Sequence, residues 1–154
     1  MARLQTDLAS NGCLIVQKKN NYMKRTISIL INVVLSLLLI MPIVSVFGIF
    51  PDPTADMYNS PQAFVFIESL MDSAYIMYMM AVVFALTLVC IWTKREALAA
   101  LLMLPVSLNI IMFHLFLDGG LFTAGAVMGN VLFAINVYLL WQYRAVYLPL
   151  LKSR

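Results

Sequence analysis

His114 is the only histidine in this 154-residue chain, and it stands inside a long apolar run. An imidazole titrates near neutral pH, so it can relay a proton or hold a carbonyl oxygen. Ionisable side chains inside apolar runs are costly and mark functional positions by default. Asp118 lies four residues further on, one helical turn along the same face. Glu68 and Asp72 are also four apart and open the preceding apolar run, with Tyr75 close behind. Asn109 follows Pro105 by one turn. The proline frees the carbonyl of Leu101, and the asparagine amide can bond across helices. His114 and Asn109 are five apart, about 140° around a helix, so they do not share a face. The candidate polar site is therefore His114 with Asn109, Asp72, Glu68, Asp118 and Tyr75. The plainer alternative makes His114 a hydrogen-bonded tie between two helices, and Pro105 with Asn109 a packing kink with interhelical glue.

Other chemistry is poorly supplied. The chain has no nucleophile–base–acid set, no phosphate-binding loop and no dinucleotide fingerprint, and no catalytic residue is assigned. A bis-histidine haem would need a second histidine. Cys13 and Cys90 have no C-x-x-C neighbour, so neither a disulfide nor a zinc site is expected, and Cys90 reads as a small buried hydrophobe. The eleven methionines read as flexible core filler, with no metal site expected. Mid-run acids and bases are missing, which argues against a proton-coupled exporter. Gly125 and Gly129 form a G-x-x-x-G motif next to Asn130, which suits close helix approach within the fold or in a homodimer.

The elements that would carry these residues are apolar helices. Hydrophobic residues make up 63% of the chain and charged residues 11%. A soluble domain is roughly half apolar and a quarter charged. Four apolar runs, at about 27–50, 73–92, 97–117 and 121–143, are each long enough to cross a core of about 30 Å at about 1.5 Å per residue. The fold class is thus all-α, an integral membrane four-helix bundle. The first run is too long for the apolar part of a signal peptide, and no cleavage motif follows it. All ten Lys and Arg lie in the N-terminal tail, at Lys94–Arg95, or in the C-terminal tail. Asp52, Asp56, Glu68, Asp72 and Asp118 lie in or beside the two remaining links, which carry no base. Cytoplasmic loops hold the basic excess, so both termini should be cytoplasmic. The bases lie at membrane ends rather than on one basic face, so the partner expected is the lipid bilayer and not nucleic acid.

Residues 1–22 read as a disordered cytoplasmic tail, with Met23 as an alternative start. Residues 23–147 form the membrane domain and 148–154 a cytoplasmic tail. Pro42 should kink or loosen the outer half of the first span. Asn32 and Ser36 share a face and should meet a neighbouring helix. Ser60 and Pro61 read as a helix N-cap with proline at the first helical position. A helix unbroken from Pro61 to Trp92 would be about 48 Å long, so a short segment before the second span must lie on the outer surface. Trp92 and Trp141 suit interfacial anchors.

The stretch from Phe64, Val65 and Phe66 through Tyr75, the basic turn at Lys94 and Arg95, and the third run together resemble the DoxX-like membrane proteins of bacteria. That family's third span carries a pattern close to L-x-P-x-x-x-N-I-x-x-F-H-x-F-L. Pro105, Asn109, Ile110, Phe113, His114, Phe116 and Leu117 match it, and Met103 stands at its first leucine. The resemblance covers roughly residues 60–145. Relatives carry an acid within the second span and a small Gly-rich patch after it. Here that region, from Met80 to Ala85, has neither. The resemblance implies a multi-pass protein of the bacterial inner membrane and transfers Asn109 and His114 as site positions. It also implies a quinone-interacting or membrane subunit of a redox system, with a redox partner protein. A non-enzymatic anchor or scaffold is the second reading, and a dimeric small-solute carrier the third.

Overall fold

The computed structural model describes the backbone of residues 2–151 and the side chains of residues 22, 23 and 25–149. The expected roles of Cys13, of Lys152 and Arg154, and of most N-terminal bases lie outside the described residues and side chains. The described backbone is helical, with no strand. Helix α1 covers Ala2–Ser45, α2 Pro61–Asp72, α3 Tyr75–Trp92, α4 Glu96–Phe116, α5 Ala126–Gln142 and α6 Arg144–Leu151, with a single 3₁₀ turn at Ala55–Met57. Three of these are long and apolar enough to cross a membrane, namely the Arg25–Ser45 part of α1, α3 and α4. The fourth apolar helix, α5, is shorter.

The chain forms two compact units, residues 1–34 and 35–154. The first is helical backbone from Ala2 onward. Only one glycine and no proline interrupts it before Pro42, and extending a helix costs far less than nucleating one. The second unit holds everything else, including the last turns of α1. There Leu35, Ser36 and Leu39 are buried. Trp92 Nε1 donates to Ser36 Oγ at 3.2 Å, so the tryptophan expected as an interfacial anchor also ties α3 to α1.

Within that unit α4 packs between α3 and α5. Ser60 caps α2, its Oγ accepting from Ala63 N at 3.1 Å, and Pro61 takes the first position, as the sequence predicts. Between Pro61 and Trp92 the helix is interrupted at Ala74, whose φ of 49° no α-helix tolerates, and α3 starts afresh at Tyr75. The turn from α3 to α4 uses Lys94 at φ 59°, with Arg95 N donating to Cys90 O at 2.7 Å. The fourth apolar run becomes helical only at Ala126. Gly119 and Gly120, at φ 80° and 109°, make a turn that L side chains resist, and Asn130 Nδ2 donates to Leu121 O at 2.6 Å to hold the loop back.

The polar link between α4 and α5 is Asn136, 2% exposed, with Ser107, fully buried. In the amide orientation that satisfies both ends, Asn136 donates to Ala100 O at 2.9 Å. Its oxygen accepts from Leu104 N at 3.2 Å and Ser107 Oγ at 2.7 Å. The amide thus lies across the turn of α4 just before Pro105. Asn109, expected as this glue, is exposed, and its side chain forms no hydrogen bond among the described residues. The reason is angular: Ser107 faces α5, and Asn109 lies two residues away, about 200° around the helix. Asn136→Ala should therefore lower stability in detergent by about 1–2 kcal/mol, read as an earlier midpoint in denaturant titration, whereas Asn109→Ala should leave the midpoint in place.

Candidate functional site

The site starts from a carboxylate taken out of water. Asp118 follows the end of α4 and is 1% exposed. A buried carboxylate needs donors for its oxygens. Asn59, just before α2, supplies two. Its backbone N–H donates to Oδ1 at 2.8 Å, and its Nδ2 reaches Oδ1 at 3.4 Å and the Asp118 carbonyl at 3.2 Å. Ser60 Oγ donates to the Leu117 carbonyl alongside. The remaining oxygen, Oδ2, lies 3.0 Å from His114 Nδ1.

His114 is 9% exposed, one turn before Asp118 on α4. Because Asp118 accepts from every neighbour, the hydrogen of this contact belongs on Nδ1, and the carboxylate sets the ring's orientation. Phe113 meets the ring edge-on, centroids 5.1 Å apart, and stacks in turn on Phe66 at 5.8 Å. The charge of Asp118 is also felt outside the helices. Tyr58 has its hydroxyl pushed above the usual phenol range, first by burial and then by the nearby Asp118 carboxylate.

The other face of the imidazole looks toward α5. A Cβ placed on Gly129 would sit 2.6 Å from Ile110 Cγ2, 3.4 Å from His114 Cδ2 and 3.6 Å from Nε2. One on Gly125 would sit 3.5 Å from Asp118 Oδ2 and 3.9 Å from His114 Cε1. The G-x-x-x-G motif thus lets α5 pass directly against the dyad, and its Gly129 face is occupied inside the chain. No described residue offers Nε2 a hydrogen bond. His114 lines a cavity of about 620 Å³ whose other walls are apolar or glycine, Gly125 and Gly129 among them. Leu37, Met41 and Pro42 come from α1, Met80 and Phe84 from α3, Ile110 from α4, and Met128 and Leu132 from α5. Pockets for drug-sized ligands run about 300–1,000 Å³ with few polar groups, and this one has a single polar side chain.

The sequence-predicted residues therefore separate. His114 and Asp118 come together. Glu68 and Asp72 are exposed and share a different recess of about 350 Å³ with Asp52 and Phe64. Tyr75 is 64% exposed at the start of α3, and Asn109 faces away from the dyad. No group of three potential metal ligands occurs among the described residues. Asn59 was missed. Its signal was faint, a residue just outside a helix cap whose partner is 59 positions away. The chain matches no family model, no curated protein and no solved structure in comparison with known proteins.

The contact at Gly129 gives a direct test. Gly129→Ala must move Ile110 or separate α4 from α5, and should cost about 1–3 kcal/mol in a detergent unfolding titration. Pairing it with Ile110→Leu, which keeps the volume but has no methyl on Cβ at the opposing position, should restore part of the loss.

Proposed function

We propose that this chain is a small inner-membrane protein that binds a quinone-class ligand at His114 and serves a membrane redox system. The observation that carries the reading is one imidazole, held at Nδ1 by a carboxylate, as the sole polar side chain lining an otherwise apolar cavity. A quinone presents matching chemistry. It has a flat apolar ring, a hydrocarbon tail and oxygens that need a donor or acceptor. Met41, Met80 and Met128 are flexible enough to follow a ring's outline. In this reading the chain orients the ring and keeps water from it, while electrons belong to a redox partner protein. The DoxX-like resemblance of the third span supports the same assignment, through His114 rather than Asn109.

The reading places the Arg25–Ser45 stretch, α3, α4 and α5 as four spans of a bundle, with both termini and the Lys94–Arg95 turn cytoplasmic. The sorted charges support that orientation. The dyad would then lie near the outer surface, α2 on that surface, and the cavity would open toward lipid. Single cysteines placed at Asp56 and at Lys94, in a background without Cys13 and Cys90, should label oppositely with an impermeant maleimide. Labelling at Asp56 alone in intact cells fits the orientation, and labelling at Lys94 alone reverses it.

The ligand is tested on protein purified in mild detergent. Extracted lipid should contain quinone close to one per chain for wild type and background amounts for His114→Ala. Background quinone in both would remove the reading. A second reading has an observation of its own. Asp118 joins Asn59, His114 and the end of α4, so the dyad could serve as a structural latch in a non-enzymatic anchor. In that case His114→Gln would lower stability and leave no redox defect in cells.

A further inference from the structure

We infer that the protonation of His114 sets which redox form of the ligand the cavity holds, oxidised when the imidazole is charged and reduced when it is neutral. The inference rests on the quinone reading above and adds the control of that same site. Asp118 accepts from Asn59 on one oxygen and faces Nδ1 at 3.0 Å on the other. A carboxylate used as an acceptor on both sides keeps a hydrogen on Nδ1 whether or not the ring is charged. Protonation therefore changes only Nε2, the atom at the cavity. Neutral His114 presents a lone pair there, which accepts from the hydroxyl of a reduced ring. Charged His114 presents an N–H, which donates to the carbonyl of an oxidised ring. The only bond that changes is Nε2–H, formed with one proton taken up from solvent and broken when that proton is returned.

The cavity has no second group to blur this choice. Titratable neighbours of the dyad are Asp118 itself, in the link after α4, and Tyr58, which comes from the segment before α2 and lies in the field of Asp118. Toward the ring α1, α3 and α5 present apolar side chains or glycine, as at Pro42, Phe84 and Gly129. By linkage, a ligand that binds one protonation state better must shift the imidazole titration in the same sense. The oxidised form should raise the pH at which His114 titrates, and the reduced form should lower it.

The experiment uses the full chain in lipid nanodiscs, with duroquinone and durohydroquinone as probes under anaerobic conditions. Their Kd ratio is measured from about pH 5 to 9, the range in which histidine changes charge. In wild type the ratio should change by about tenfold or more, with duroquinone gaining at low pH, the scale of one hydrogen bond to a charged group. In His114→Gln, whose amide both donates and accepts without titrating, the ratio should be flat. As His114 is the only histidine, its ¹⁵N ring signals in wild type report the two opposite titration shifts without any variant. If both probes bind near His114 and the ratio and ring titration do not respond, the inference is overturned while the quinone reading stands. If neither probe binds, the quinone reading fails and the inference with it.

Discussion

A carboxylate withdrawn from water must be met by donors, and the arrangement around Asp118 follows from that requirement. At 1% exposure Asp118 cannot rely on solvent. Asn59 turns its backbone N–H and side-chain amide onto the Asp118 oxygen and carbonyl, which fastens the segment before α2 to the end of α4. His114 Nδ1 faces the other oxygen, which fixes the ring and leaves Nε2 as the ring nitrogen with no hydrogen-bond partner among the described residues. Replacing the acid would leave a backbone N–H and an imidazole N–H without an acceptor, a cost shared by the loop, the helix end and the site.

Close approach is the second condition. Helix α5 can pass this close to α4 because Gly129 has no side chain, since even a methyl there would sit 2.6 Å from Ile110. About two turns along α5 from Gly129, Asn136 bonds to Ser107 and spans the Ala100–Leu104 turn of α4. These contacts hold the same two helices by different means, tight apolar packing near His114 and a buried amide beyond it. In hydrocarbon, where helices gain little from hiding apolar surface, small residues and buried amides are the usual means of association.

The cavity joins these contacts to the proposed role. Its walls come from α1, α3, α4 and α5, and a dry boundary strengthens any hydrogen bond that Nε2 makes inside it. The acidic recess of Asp52, Glu68 and Asp72 belongs to a different part of the surface, exposed and apart from the dyad. The separation explains why four acids near the ends of apolar runs are not equivalent, with only Asp118 lying within reach of the histidine.

Much of the local structure was legible in the sequence, because it rests on short-range rules. Apolar length marked the long helices, Ser60 and Pro61 marked the start of α2, and the four-residue spacing of His114 and Asp118 paired their side chains at the end of α4. The helix break at Ala74 and the late start of α5 were not legible to the residue, since a non-glycine at positive φ and a glycine turn held by Asn130 depend on surrounding contacts. Asn109 was read as interhelical glue and proved exposed, because spacing along one helix gives relative angles and never says which angle faces a neighbour. The sequence by itself determined the helical class, the long apolar helices and the His–Asp spacing, all properties of residues close in the chain. Only the tertiary structure decided that Asn59 completes the dyad, that Gly129 lets α5 pass beside it and that four helices line a cavity at His114. Those contacts join residues far apart in the chain, and no periodicity encodes their meeting.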